Sequence, residues 1–101
     1  MRLLFDGTYS LAPRHILRRS GYAKIINRDG VASYSLRLRK SSFPRFHVYI
    51  EISKKVILVN LHLDQKAPSY NDSHAHAGEY EGKLVEEEGE RIKRWFEHCK
   101  L

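Results

Sequence analysis

The sequence predicts an α+β fold, a two-layer sandwich in which a short N-terminal helix and a long C-terminal helix lie on one face of a four-stranded antiparallel sheet. Three observations predict it. Apolar and polar residues alternate along the middle of the chain, an Asp-Gly pair separates two such stretches, and a helical apolar period runs through the end. The expected element order is α-β-β-β-β-α. With 101 residues, the chain is expected to form a single domain, 1–101.

The first helix is predicted to begin at Ser10, a residue that favours the N-cap position, and to end at Gly21. Pro13 falls in its first turn, where its missing N–H group costs nothing. The apolar stripe of this helix consists of Ala12, Ile16 and Leu17. The preceding segment, 2–5, is too short to be assigned.

Four strands are predicted, over 22–27, 31–39, 46–52 and 56–64. Asp29-Gly30 predicts a hairpin between the first two strands, because glycine tolerates the positive φ of a tight turn. Lys54-Lys55 is the expected turn between the last two. The third strand presents Phe46, Val48, Ile50 and Ile52 on one face, and the fourth presents Ile57, Val59, Leu61 and Leu63.

The register of these last two strands follows from keeping both apolar sets on the same side of the sheet. That condition pairs Ile52 with Ile57. It also places Tyr49 opposite Asn60, His47 opposite His62 and Arg45 opposite Asp64.

The last helix is predicted to begin between Ser73 and Glu79 and to end near His98. Its apolar face consists of Leu84, Val85, Ile92, Trp95, Phe96 and Cys99. Gly89 falls on that face, which predicts close approach of the helix to the sheet. The acidic run 86–88 is expected on a solvated helix face, paired with the basic residues that follow it.

Composition and charge exclude several classes of protein. The one cysteine, Cys99, excludes an intramolecular disulfide and a Cys-based zinc site. The apolar run at the start is too short for a signal peptide, and nothing later is long enough to span a membrane, so a cytoplasmic location is expected. No Gly-rich phosphate loop or nucleophile-elbow pattern is found, so no catalytic residue is assigned.

The two halves of the chain differ in charge. Up to Asn60 there are 12 Lys and Arg residues against 3 acidic ones, and beyond it 6 against 9, for a net charge of +6. If both helices cover the apolar face of the sheet, the other face is polar. The residues expected on it are Ser35, Arg37, Arg39, His47, Tyr49, Glu51, Asn60, His62 and Asp64.

The first functional hypothesis is binding of nucleic acid, either RNA or DNA. Arg37 and Arg39 are suited to phosphate groups, and Tyr49 offers a stacking surface. Arg14, Arg18 and Arg19 on the first helix would extend the positive field. The alternative for the same residues is a solvated sheet face with charges paired across strands.

The second hypothesis is a metal site that holds zinc or a similar divalent ion, with hydrolysis as the reaction that such a site could support. His62 and Asp64 share one face of a strand, and the predicted register brings His47 opposite His62. His74 and His76 follow in the exit loop. Imidazole and carboxylate together suit zinc, manganese, nickel or iron.

A third hypothesis is a protein–protein adaptor. The strand predicted over 22–27 has a free edge if it lies at the end of the sheet. A free edge presents unpaired backbone groups to another chain, including a second copy of this one.

Overall fold

The computed structural model describes residues 1–65 and 78–101. These form a five-stranded antiparallel sheet with two helices. The elements in chain order are β1 (Arg2–Asp6), α1 (Pro13–Arg19), β2 (Ala23–Ile26), β3 (Ala32–Arg37), β4 (Arg45–Ser53), β5 (Val56–Asp64) and α2 (Gly78–Cys99). The strand order across the sheet is β1-β5-β4-β3-β2.

The predicted α+β architecture is therefore confirmed, but the predicted number of strands is wrong. Segment 2–6 forms β1, which pairs antiparallel with β5, so that Leu3 lies opposite Val59 and Phe5 opposite Ile57. Five residues hold too few alternations for a pattern to be detected. The backbone hydrogen bonds that make β1 a strand come from β5, fifty or more positions away along the chain.

The predicted pairing of the last two strands is confirmed. Ile52 lies opposite Ile57, and the three polar pairs Tyr49–Asn60, His47–His62 and Arg45–Asp64 follow in step. Lys54 makes the turn with a φ of 53°, a left-handed backbone conformation that residues other than glycine rarely adopt. Burial of one apolar face thus fixes the register, even where the turn residues do not favour the turn.

Helix α1 begins later than predicted. Pro13 is its first residue, and Ala12 occupies the N-cap position without a side-chain hydrogen bond. Ser10 is bound elsewhere, because its N–H and Oγ donate to the Cys99 carbonyl oxygen at 2.8 and 3.1 Å. The end of the helix was predicted well, with Gly21 following it at a φ of 112°.

Both helices pack on the same face of the sheet and share one hydrophobic core with it. The largest fully buried side chains come from both layers: Ile16, Leu17, Val48, Val59, Leu61, Ile92 and Phe96. Cys99 is buried among them, as predicted. Among the described residues, neither helix has the length and apolar character that a membrane span requires.

Helix α2 crosses the β1 end of the sheet, and Gly89 marks the closest approach. A Cβ at Gly89 would lie 2.5 Å from Met1 Sδ and 3.7 Å from Leu3 Cδ2. The predicted close approach is therefore confirmed. Met1 is fixed there because its amino group donates to the Leu61 carbonyl oxygen at 2.9 Å.

The prediction that the whole acidic run is solvated is wrong at Glu88, which is only 6% exposed. The carboxylate of Glu88 is bound by Tyr22, the residue just before β2, and by Arg91, one turn further along α2. A carboxylate can be buried when such partners satisfy it.

Candidate nucleic-acid interface

The second face of the sheet carries polar side chains and lies opposite the face on which α1 and α2 pack. We call it the open face. It consists of Arg2, Leu4, Ala23, Ile25, Ser33, Ser35, Arg37, Arg45, His47, Tyr49, Glu51, Leu58, Asn60, His62 and Asp64. Within the described residues no helix packs on it, and Leu4 is 69% exposed there.

The strand register arranges the open face in rows that run across the strands. In one row His47 on β4 lies between His62 on β5 and Ser35 on β3. In the next row Arg45 lies between Asp64 and Arg37. Side chains within a row are close enough to act on one ligand, since adjacent strands lie about 4.8 Å apart.

A chain of hydrogen bonds crosses these rows. Asp64 Oδ2 accepts from Arg45 Nε at 3.2 Å and from His47 Nδ1 at 3.0 Å. The other ring nitrogen, His47 Nε2, lies 2.7 Å from Ser33 Oγ. Because a carboxylate only accepts, Nδ1 carries the proton, and Nε2 of the neutral ring then accepts from the serine hydroxyl.

The order serine, imidazole, carboxylate is that of a nucleophile, its base and the group that orients the base. Ser33, however, is only 4% exposed, so a substrate carbonyl has no approach to its hydroxyl. The arrangement instead fixes the orientation and tautomer of the His47 ring.

Tyr49 lies beside this ring and is 36% exposed. Its ring centroid lies 4.6 Å from that of His47, tilted by 32°, and 6.1 Å from that of His62, edge to face. These contacts restrict the side chain while leaving part of the ring in solvent. An exposed, restrained aromatic ring is the kind of surface on which a nucleobase stacks.

Three guanidinium groups lie on the open face. Arg45 is paired with Asp64, and its guanidinium lies 4.5 Å from the centroid of the Phe43 ring. Arg2 and Arg37 are exposed and make no ion pair with any of the described residues. Sequence reasoning missed Arg2, because segment 2–6 is too short for its alternation to be detected.

A cleft of about 550 Å³ lies at the β2 side of this surface. The residues that line it are Gly21, Ala23, Ile25, Ser35, Leu36, Arg37, Ser42 and Arg45. Two arginines and two serines are therefore among its lining residues.

The structure brings together only part of the predicted nucleic-acid set. Arg37 and Tyr49 lie on the open face, whereas Arg39 lies beyond the end of β3, in the connection 38–44. Arg14, Arg18 and Arg19 are exposed on α1, which packs on the other face of the sheet. Those three arginines therefore do not share a surface with Tyr49.

The predicted metal set is brought together only at three positions. His47, His62 and Asp64 are neighbours, but both ring nitrogens of His47 already have hydrogen-bond partners. Among the described residues no group of three or more potential ligands is arranged to hold a metal ion. His74 and His76 lie outside the described residues, so the metal site stays a prediction.

The edge strand expected by the adaptor hypothesis is present. Strand β2 ends one side of the sheet, and β1 ends the other. Pairing of either edge with a second chain stays a prediction.

No protein-family model, curated protein or solved structure matches this chain. The open face is therefore the feature from which a function is inferred.

Proposed function

We propose that this protein binds single-stranded nucleic acid through the open face. The observation that carries the proposal is the exposed ring of Tyr49 on a sheet face that neither helix covers. It is accompanied there by the guanidinium groups of Arg2 and Arg37, which make no ion pair within the described part of the chain. Aromatic stacking and phosphate contacts are the two interactions by which such proteins hold a strand.

A single strand fits this surface better than a duplex does. The bases of a duplex are stacked on each other, so an aromatic ring on a sheet cannot reach their faces. The bases of a single strand are free to stack on Tyr49, which is worth about 1–3 kcal/mol per base. The guanidinium groups on either side of Tyr49 then meet the phosphates of the same strand.

The charges of the open face are consistent with an anionic ligand. Its two carboxylates are Asp64 and Glu51, and Asp64 is paired with Arg45. Arg2 and Arg37 retain their charge at either end of the surface, and Arg39 adds to it from the adjoining connection. Binding through such groups releases counterions and must weaken with salt.

The test is fluorescence anisotropy with a labelled uridine strand of about twelve nucleotides, titrated between about 50 and 200 mM salt. The double variant R2A/R37A is expected to bind more weakly. The slope of log K against log salt should fall by about 0.7 for each phosphate that the variant no longer neutralises.

The matched control is R18A/R19A, which removes the same charge from α1 on the other face. We expect this control to retain the salt slope of the parent protein. Equal losses of affinity in the two variants would show that binding depends on net charge alone. Tighter binding of a duplex than of the single strand would also contradict the proposal.

A further inference from the structure

Arg37 on β3 and Arg45 on β4 are direct cross-strand neighbours on the open face. Like charges placed opposite each other destabilise a sheet, and Asp64 compensates only one of the two. The unrelieved positive charge lies on the wall of the 550 Å³ cleft at the β2 side. An anion in that cleft removes the repulsion.

Both guanidinium groups are held in place while retaining free donors. Arg45 is fixed by its Nε bond to Asp64 at 3.2 Å and by the Phe43 ring, 4.5 Å away. Arg37 Nη1 donates to the Lys40 carbonyl oxygen at 3.3 Å. Among the described residues, the terminal nitrogens of Arg45 and the Nε and Nη2 of Arg37 have no acceptor.

The remaining wall of the cleft suits a phosphate group. Ser35 and Ser42 bring hydroxyl groups to it, and hydroxyls can donate to phosphate oxygens. Its volume of about 550 Å³ lies within the usual range of small-molecule sites, about 300–1,000 Å³, and is large enough for a nucleotide. The apolar side chains of Ala23 and Ile25 border the same space.

We infer that this cleft binds the terminal phosphate monoester of a nucleic-acid strand whose bases lie on the open face. The inference rests on the proposed function and adds an end specificity to it. A monoester carries between about 1.5 and 2 negative charges and three free oxygens, whereas an internal diester carries one charge. Arg37 and Arg45 line the same cleft, and paired guanidinium donors match the monoester.

The experiment compares three uridine strands of equal length: one with a 5′ phosphate, one with a 3′ phosphate and one with hydroxyl groups at both ends. The affinity of each for the full chain is measured by anisotropy at one salt concentration. We expect one phosphorylated strand to bind at least about tenfold more tightly than the unphosphorylated strand. Which end is preferred identifies the polarity of the bound strand.

The variant R37A tests the site itself, since Arg37 is exposed and its removal leaves the core intact. In R37A the preference for the phosphorylated strand should disappear, whereas the control R18A should keep it. A preference that persists in R37A overturns the inference, and so does equal affinity of the parent protein for all three strands. Equal affinity for all three strands is still consistent with the proposed function. If none of the three strands binds, both the proposed function and the end specificity are wrong.

Discussion

Tyr22 donates its phenolic hydrogen bond to Glu88 Oε2 at 2.6 Å, and this contact joins the start of β2 to the middle of α2. Both residues are buried, at 3% and 6% exposed. Arg91 holds the same carboxylate with two bonds of 2.8 and 2.9 Å and donates to the Ser20 carbonyl oxygen at 2.9 Å. The cluster therefore ties α2 to the end of α1.

Removing the Tyr22 hydroxyl should destabilise the fold. In Y22F the buried carboxylate loses one of its donors, which costs about 1–3 kcal/mol. Urea denaturation at neutral pH measures the loss in free energy of unfolding. The control is Y9F, because the Tyr9 hydroxyl donates to the Asp6 carbonyl oxygen in an exposed position. If Y9F lowers the free energy of unfolding as much as Y22F does, the buried hydrogen bond stabilises the fold no more than the exposed one.

The same contact predicts how stability changes in alkali. Burial raises the pKa of Tyr22 far above its ordinary value, and the hydrogen bond to Glu88 raises it further. An unfolded tyrosine ionises near pH 10, so the contribution of Tyr22 is complete below about pH 10 and falls as the pH rises above it. Between about pH 9 and 11 the parent protein should therefore lose more stability than Y22F. Urea denaturation at the two pH values measures this. An equal decrease in the free energy of unfolding for the parent protein and Y22F would contradict the prediction.

Gly82 and Gly89 of α2 are expected to differ in how well they tolerate an added methyl group. Among the described residues, a Cβ at Gly82 meets no heavy atom within 4 Å outside the backbone of its own helix, so G82A should stabilise α2 by about 0.5–1 kcal/mol. A Cβ at Gly89 would lie 2.5 Å from Met1 Sδ and must displace that side chain from the helix. G89A should therefore stabilise less than G82A in thermal unfolding. An equal increase in thermal stability for G82A and G89A would show that the Met1 side chain can be displaced without loss of stability.

The His47 ring should occupy one tautomer. With Asp64 at Nδ1 and Ser33 at Nε2, the neutral ring should carry its proton on Nδ1. Nitrogen NMR of the imidazole at a pH where the ring is neutral distinguishes the two forms. S33A should keep the Nδ1–H form and D64A should lose it. Loss of that form in S33A alone would show that the serine sets the tautomer.

Tyr49 should contribute to binding through its ring rather than its hydroxyl. In Y49A the stacking surface is removed. Binding of the uridine strand should therefore weaken by about 1–3 kcal/mol, which is roughly a five- to 150-fold increase in Kd. Y49F keeps the ring and should bind almost as the parent protein does. Tyr49 is 36% exposed, so neither change should disturb the core. Equal binding by Y49A and the parent protein would exclude stacking at this position.

Much of the sheet was predictable because alternation and burial are local patterns. The pairing of β4 with β5 followed from keeping two apolar sets on one side, and this condition alone places His47 opposite His62. Most of the polar face could be listed for the same reason, although Arg39 lies beyond the end of β3. Both helices were also predicted on the apolar face because each must bury its apolar stripe, so Arg14 on α1 lies across the sheet from Tyr49.

The sequence by itself determined the α+β class, the four strands β2 to β5, the register of β4 with β5, the amphipathic last helix and the basic balance of the chain. Only the tertiary structure decided that segment 2–6 completes the sheet as β1, that Glu88 is buried, and that Asp64 binds both Arg45 and His47. The physical reason is the range of the interactions. Periodicity reports which face of an element avoids water, whereas backbone pairing and shared hydrogen bonds depend on partners that only the packed chain brings together.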